Sequence, residues 1–144
     1  MSGTATHHLP VREAMTRDPV VVDGLTTVRE ALAIMRERNI SALVVERRNE
    51  RDEYGIVLVA DIAREVINQN RAPSRTHLYE VMAKPAPSLD CEMNVRYAVR
   101  LLHRLGLTHA IVLDQRRLVG IVTLRDLVVR YVDSAPGPRP EPAA

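Results

Sequence analysis

Two stretches of the chain carry apolar residues at the spacing of an amphipathic helix. Apolar residues at i, i+3, i+4 and i+7 share one face of a helix, so each stretch predicts a helix with one face in a core. The first set is Val28, Ala31, Leu32 and Met35, and the second is Val95, Ala98, Val99 and Leu102.

The residues that flank these stretches predict where the helices begin and end. Thr27 and Glu30 have the T-x-x-E spacing of a capping box, and Asn94 occupies the matching cap position before the second helix. Asn and Gly best tolerate the left-handed conformation that follows a helix. We therefore expect the two helices to end at Asn39 and Gly106.

Short apolar runs bounded by polar residues predict strands around these helices. The predicted strands are 19–22, 42–45 and 55–59 in the first half of the chain, and 86–89, 110–113 and 118–123 in the second. The last two strands are joined by a charged turn at 114–117, which predicts a β-hairpin. Short helical turns are expected before the strands at 11–15 and 78–82, and final helices after them at 61–68 and 125–132.

The order of these elements is the same in both halves of the chain, and so are several residues. At an offset of 67 the shared residues are Glu13/Glu80, Met15/Met82, Asp23/Asp90, Val28/Val95, Arg29/Arg96, Ala31/Ala98 and Val45/Val112, and at an offset of 65 they are Gly55/Gly120, Ile56/Ile121, Val57/Val122 and Asp61/Asp126. An internal repeat fixes the architecture before other signals do. The predicted fold class is therefore α/β (α+β), built from two β-α-β-β-α repeats.

The repeat also sets the predicted domain organisation. Repeat 1 covers residues 11–68 and repeat 2 covers 78–133, with a polar linker at 69–77. Each repeat alone is small for a stable core, so the two are expected to fold against each other. Residues 1–10 are expected to form a flexible leader, and the Pro-rich residues 134–144 a disordered tail.

Composition disfavours several classes of protein. The 144 residues include no Phe or Trp, so the core must consist mainly of Val, Leu, Ile, Ala and Met. The single Cys91 cannot form an intramolecular disulfide. No apolar run is long enough to span a bilayer and no secretory signal is visible, so a cytoplasmic protein with no membrane partner is expected. The nearly balanced net charge of +2 and the scarcity of aromatic residues disfavour nucleic-acid binding.

The candidate chemistry lies in the segment GIVTLRD, residues 120–126. Thr123 and Asp126 place a hydroxyl and a carboxylate where a buried strand meets a helix N-terminus. A carboxylate there can accept the hydroxyls of a ribose, while backbone N–H groups and Arg125 can face a phosphate. The T-x-x-D spacing is also that of a helix-capping box, and on this motif alone capping is the simpler interpretation.

Repeat 1 helps to separate these two interpretations. It keeps Asp61 but has Leu58 where repeat 2 has Thr123. A leucine side chain cannot cap a helix, so a capping box does not fully explain Asp61. An acid at a helix start is nevertheless favourable by itself because of the helix dipole.

With G-I-V-x-x-x-D at a helix start in both repeats, the chain resembles a tandem pair of CBS domains, also called a Bateman module. The segments MTRDPVVV and GIVTLRD carry the resemblance, which covers about residues 10–132. It implies two repeats packed about a pseudo-twofold axis, with two clefts that in many family members bind AMP, ADP, ATP or S-adenosylmethionine. No cofactor is required by this resemblance.

The resemblance also implies which residues contact such a ligand. One cleft is expected to take the base from repeat 1, with Thr26, Ile40, Ser41 and Ala42, and the ribose from repeat 2, with Thr123 and Asp126, while Thr108 and His109 lie near the phosphates. The mirror cleft is expected to use Leu107, Thr108 and His109 with Asp61. Because Leu58 removes a hydroxyl there, the cleft with Thr123 and Asp126 is expected to be the better site.

These observations predict a non-enzymatic regulatory module. No nucleophile with a base and an orienting group emerges, and no metal-ligand or phosphate-loop spacing occurs, so no catalytic or metal residues are assigned. An adenosine ligand is expected to shift the conformation or the binding of a separate regulated protein. A homodimer through helices is also expected. A ligand-free dimeric scaffold is the alternative, and a nucleic-acid-binding protein is a weaker one.

Overall fold

The structure is a computed structural model that describes residues 8–134. These residues divide into two compact units. Residues 19–87 form one of them, which we call the repeat-1 unit. Residues 8–18 join 88–134 in the other, the repeat-2 unit. The expected tail, apart from Ser134, and residues 1–7 of the expected leader lie outside the described residues.

The repeat-1 unit is a three-stranded sheet covered by helices. Its strands β2 (Val21–Val22), β3 (Ala42–Val45) and β4 (Gly55–Leu58) have the order β2-β3-β4, with β2 parallel and β4 antiparallel to β3. Its helices are α1 (Val28–Arg38) and α2 (Val59–Ile62), and a π-helical turn (Ala63–Ile67) continues α2. Short 3-10 turns at Pro73–Arg75 and Leu78–Glu80 follow. The core contains Val28, Ala31, Met35, Leu43, Val57, Ile62 and Val66.

The repeat-2 unit has the same plan with one added strand. Its strands are β1 (Thr16–Arg17), β5 (Ser88–Asp90), β6 (His109–Asp114) and β7 (Arg117–Thr123), in the order β1-β7-β6-β5. Strand β5 is parallel to β6, while β6–β7 and β1–β7 are antiparallel. Helices α3 (Val95–Leu105) and α4 (Leu124–Ser134) complete it, with a 3-10 turn at Val11–Glu13. Its core contains Val95, Ala98, Leu102, Ala110, Val112, Val122 and Leu127.

The predicted ends of the two long helices are confirmed. The Thr27 hydroxyl accepts a hydrogen bond from the Glu30 N–H, and the Glu30 carboxylate accepts one from the Thr27 N–H. The Asn94 side chain caps α3 by accepting from the N–H of the second helical residue. Asn39 and Gly106 end the helices with φ of 55° and 68°, in the left-handed region. Local side-chain chemistry thus fixes the register of both helices.

The predicted final helix of repeat 1, residues 61–68, differs from the observed one in where it begins and in its hydrogen bonding. The helix begins at Val59, which had been placed in the preceding strand. Its α-helical part ends at Ile62, and the next turn has π-helical hydrogen bonding, as in the bond from the Asn68 N–H to the Ala63 carbonyl. The early start has a local cause, because the Asp61 carboxylate accepts the Leu58 N–H at 2.8 Å and so closes the first turn.

The connections inside the two strand pairs differ. In repeat 2 the predicted hairpin is confirmed, with φ of 49° at Gln115 and 69° at Arg116, the positive values that a tight two-residue hairpin turn requires. In repeat 1 the connection is longer and is organised around Asp52. The Asp52 carboxylate accepts hydrogen bonds from the Arg48 N–H and from the Lys84 ammonium, both at 2.8 Å. The change of offset between the repeats from 67 to 65 therefore corresponds to the greater length of this polar loop.

Residues 9–17 are anchored more firmly than a flexible leader would be. Leu9 and Pro10 are buried, in contrast to the expectation for residues 1–10. Strand β1 pairs with β7, and this pairing needs a residue without a side chain at Gly120. A Cβ there would lie only 2.5 Å from the Met15 Sδ and 2.8 Å from the Thr16 carbonyl oxygen.

Candidate ligand site at two helix starts

The start of α4 in the repeat-2 unit brings together the hydroxyl and the carboxylate of the GIVTLRD segment. The Thr123 hydroxyl accepts the Asp126 N–H at 3.0 Å, so Thr123 caps the helix as the T-x-x-D spacing allows. The Asp126 carboxylate does not complete the capping box. Among the residues that the structure describes, its one ionic partner is the exposed guanidinium of Arg125, at 3.6 Å. Capping therefore accounts for Thr123 but leaves the Asp126 carboxylate available.

Thr108 and His109 lie beside this helix start. The Leu124 N–H donates to the Thr108 carbonyl, which ties the first helical residue to the residue before β6. His109 and Thr123 are directly opposite each other in the β6–β7 ladder. The His109 Nδ1 lies 2.8 Å from the Thr108 hydroxyl. Five of the predicted site residues, Thr108, His109, Thr123, Arg125 and Asp126, thus lie around this helix start within the repeat-2 unit.

The equivalent helix start in the repeat-1 unit has a different environment. The Asp61 carboxylate accepts the Leu58 N–H through Oδ2 and the Arg64 guanidinium through Oδ1, both at 2.8 Å. Its side chain is 13% exposed, whereas that of Asp126 is 40% exposed. Hydrogen bonding to Asp61 raises the pKa of the Arg64 guanidinium, with a smaller contribution from Glu65. The repeat-1 acid is therefore already bound on both oxygens by its own unit.

Ile40, Ser41 and Ala42 gather at the same edge of the repeat-1 sheet as Asp61. Ala42 pairs with Leu58 across the β3–β4 ladder, and the Ser41 carbonyl accepts the Val59 N–H. Ser41 is exposed, while Ile40 and Ala42 are half-buried. These three residues therefore lie beside the start of α2, as Thr108 and His109 lie beside the start of α4.

Thr26 does not join this group. It precedes α1, where its N–H donates to the Asp23 carbonyl and its own carbonyl accepts the Leu78 N–H. The eleven residues of α1 separate it from Ile40, which corresponds to about 16 Å along the helix axis. The structure therefore places Thr26 at one end of α1 and the other three residues of the predicted base contact at the other.

The sequence reasoning missed two features of these helix starts. Val20 lies beside the Ala42 edge, since its carbonyl accepts the Val44 N–H in the parallel β2–β3 pairing. No local pattern reveals that register. Arg64 was missed too, although its i+3 spacing from Asp61 is the spacing of a helical ion pair and could have indicated the contact.

No group of three or more His, Cys, Asp or Glu among residues 8–134 could hold a metal ion. Cys91 is buried, and desolvation together with nearby acids raises the pKa of its thiol. That environment is typical of a structural cysteine and disfavours a nucleophile. None of the helices in this part of the chain is long and apolar enough to cross a membrane.

Comparison with known proteins identifies the repeats. The family model described as CBS domain matches residues 11–68 and 78–133. An uncharacterized protein of Methanopyrus kandleri is 32% identical over 120 residues, which are 82% of this chain and 60% of that protein. The chain thus spans less than two thirds of that relative.

Solved structures share the fold. A hexameric CBS-CP12 protein from bloom-forming cyanobacteria superposes with a TM-score of 0.84 at 32% identity, over 92% of this chain and 74% of that one. The CBS domain pair of protein MJ0100, solved in complex with 5′-methylthioadenosine and S-adenosyl-L-methionine, gives a TM-score of 0.75 at 22% identity, over 88% and 98% of the two chains. The mixed α+β fold predicted from the repeat is confirmed.

Proposed function

Since the chain belongs to the CBS-domain family and contains a tandem pair of these domains, a regulatory module, we propose that it binds an adenosine ligand at the start of α4. The observation that carries the proposal is the Asp126 carboxylate. It is partly exposed at a helix N-terminus, and Thr123 rather than Asp126 caps the helix. A carboxylate in that position is free to accept the two hydroxyls of a ribose.

The neighbouring groups suit the remaining parts of such a ligand. The Thr123 oxygen accepts the Asp126 N–H, and its hydroxyl proton stays available for donation to a ligand. Thr108, His109 and Arg125 supply polar and cationic groups beside the helix start, where a phosphate is favourable. We propose these three residues for the phosphate contacts.

The base contacts are proposed for repeat 1. Ile40, Ser41 and Ala42 remain the candidates, because an exposed hydroxyl and two half-buried apolar side chains at a strand start suit the edge and face of an adenine. Thr26 is no longer grouped with them, since α1 lies between. The complex of protein MJ0100 supports the choice of adenosine compounds as ligands to test.

Regulation would follow from differential binding rather than from catalysis. A ligand that binds one conformation better than another shifts the population toward that conformation, and so changes the affinity for a regulated protein. In this proposal the module needs no cofactor. The regulated protein is a separate partner or a further part of a longer chain.

A panel of ligands tests the proposal by thermal denaturation. AMP, ADP, ATP, S-adenosylmethionine and 5′-methylthioadenosine are compared with GMP, which keeps the ribose and the phosphate but changes the base. A ligand at about 100 times its Kd stabilises the folded state by about 2.7 kcal/mol, enough for a clear rise in Tm. No rise with any adenosine compound, or the same rise with GMP, would contradict the proposal.

A ligand-free dimeric scaffold is the second candidate, and exposed apolar helix residues favour it. Leu105 on α3 and Val132 on α4 are 58% and 67% exposed, and Val128 is also exposed. Apolar helix surface of this kind suits a homodimer. Light scattering on wild type and on Val132→Glu tests it. A dimer that Val132→Glu dissociates, together with no ligand-induced Tm shift, would favour the scaffold.

A further inference from the structure

The two acids that the repeats share differ in one neighbour that the duplication does not preserve. Arg64 lies three residues after Asp61 and donates to its Oδ1 at 2.8 Å. At the offset of 65 that aligns the two acids, the counterpart of Arg64 is Val129. Repeat 2 therefore has no cation at the position from which Arg64 reaches Asp61.

We propose that Arg64 competes with ligand for Asp61, so that the start of α2 is closed by its own side chain while the start of α4 stays open. The inference rests on the proposed function and deepens it, since it names the residue that makes the two sites unequal. A ribose hydroxyl that binds Oδ1 of Asp61 has to compete with the Arg64 guanidinium for it. The Leu58 N–H holds the other oxygen, Oδ2, so the two hydroxyls of a ribose do not find both oxygens of Asp61 open.

The geometry of the two helices explains why the competition occurs in repeat 1 alone. The Arg64 side chain is 60% exposed and can reach back over the 13% exposed Asp61, at the i, i+3 spacing at which helical ion pairs form. In repeat 2 the adjacent Arg125 is 3.6 Å from Asp126, too long for a good hydrogen bond. The Arg125 contact therefore holds Asp126 less firmly than Arg64 holds Asp61.

The inference predicts that exchanging the residues at positions 64 and 129 changes the ligand affinity of the two helix starts in opposite directions. Arg64→Val copies the repeat-2 residue into repeat 1, and Val129→Arg does the reverse on the exposed face of α4. Leu58→Thr restores the missing hydroxyl, alone and together with Arg64→Val. The controls keep the same changes in charge away from both acids. They are Arg51→Val in an exposed loop and Ile67→Arg, an exposed apolar residue six positions after Asp61.

Calorimetric titration with AMP measures the number of sites and their affinities. Wild type should show one stronger site, which Val129→Arg weakens about three- to tenfold, the range expected from one exposed charge-assisted hydrogen bond. Ile67→Arg should leave that site unchanged. Leu58→Thr with Arg64→Val should add a second site of comparable affinity, stronger than the site added by Leu58→Thr alone, and Arg51→Val should add none.

The outcomes separate this inference from the proposed function. One AMP site that depends on Asp126 but does not respond to Val129→Arg, or a second site that Leu58→Thr creates equally well with and without Arg64, overturns the role of Arg64 and leaves the function standing. AMP binding by the Leu58→Thr, Arg64→Val variant but not by wild type supports the role of Arg64 and contradicts the Asp126 site. No AMP binding by any of these proteins overturns both.

Discussion

The helix starts of α2 and α4 show how two copies of one sequence segment come to differ in chemistry. Both begin after G-I-V, and both carry an aspartate at the same position. Asp61 is used to build its own helix, because its carboxylate accepts the Leu58 N–H, while at the other start the Thr123 hydroxyl caps the helix by accepting the Asp126 N–H. Two differences, Leu58 against Thr123 and Arg64 against Val129, therefore separate an acid that is bound within its own unit from one that is available. A shared residue in a repeat is not by itself a shared function.

The largest expected effect comes from removing the two acids one at a time. Asp126→Ala should abolish the Tm shift caused by adenine nucleotides, since it removes the proposed ribose acceptor. Asp61→Ala should leave most of the shift in place. It should instead lower the stability of the free protein by about 1 kcal/mol, because the Leu58 N–H and Arg64 lose their acceptor.

Thermal shifts with and without nucleotide, measured on both variants, make this comparison. Asp126→Asn is the matched control, because it keeps the side-chain shape and an acceptor while removing the charge. Equal loss of the ligand-induced shift in Asp61→Ala and Asp126→Ala would break the contrast between the two helix starts.

The close approaches at the two strand glycines give the next largest difference, this time in stability. A Cβ at Gly120 would meet the Thr16 carbonyl oxygen at 2.8 Å, which is backbone and cannot move away easily. A Cβ at Gly55 would meet the Met82 Sδ at 2.7 Å, a flexible side-chain atom, with backbone only at 3.4 Å. Gly120→Ala should therefore cost about 2–3 kcal/mol of unfolding free energy, and Gly55→Ala about 1 kcal/mol.

Urea denaturation of both variants measures these costs. Combining Gly55→Ala with Met82→Ala, which removes the clashing atom, should cost less than the sum of the two single changes. A larger cost for Gly55→Ala than for Gly120→Ala would contradict this expectation. It would show that the Met82 side chain near Gly55 moves away less easily than the Thr16 backbone near Gly120.

The accuracy of the sequence-based predictions depended on how local the interactions are. The caps at Thr27 and Asn94 and the left-handed ends at Asn39 and Gly106 involve only neighbouring residues, so they could be read from the sequence and were confirmed. The pairing of β1 with β7 joins residues about a hundred positions apart, and a two-residue strand carries no periodicity. That pairing could not be predicted from local patterns.

The candidate site shows the same division. Thr123 beside Asp126, and Ser41 beside Ala42, are neighbours in sequence and stay neighbours in the fold. The resemblance implied that Thr26 and Ser41 contact the same base, but the two residues lie at opposite ends of α1. Sequence order does not show which ends of neighbouring elements meet, so this separation could not be predicted from it.

The loops between the paired strands provide a smaller contrast, which depends on pH. Hydrogen bonds from Lys84 and then from Arg48 hold the pKa of Asp52 well below its ordinary value. A group whose folded pKa is lowered stabilises the protein above its unfolded pKa, near 3.8, and this contribution is lost as the pH falls toward the folded value. Asp52→Asn should therefore lower the Tm by a few degrees at neutral pH and by less at about pH 3, where part of the contribution is already lost.

Differential scanning calorimetry at about pH 7 and about pH 3 tests this loop. Asp114→Asn, in the matching tight turn of repeat 2, is the control. An equal Tm change at both pH values for Asp52→Asn would mean that its carboxylate does not stabilise the longer loop through charge.

The smallest expected effect is a difference in pH dependence between the caps of α1 and α3. Hydrogen bonds from the N–H and the side chain of Thr27 lower the pKa of Glu30 below its ordinary value of 4.5, so this half of the α1 cap contributes above that pH and weakens as the pH falls through the lower folded pKa. The Asn94 amide that caps α3 has no charge to lose.

Between about pH 6 and about pH 3, Glu30→Gln should therefore lose less unfolding free energy than wild type, whereas Asn94→Ala should be destabilised by about 1 kcal/mol at both pH values. Urea midpoints at the two pH values measure both effects, and an acid-dependent cost of Asn94→Ala would show that the α3 cap relies on a titrating neighbour as the α1 cap does.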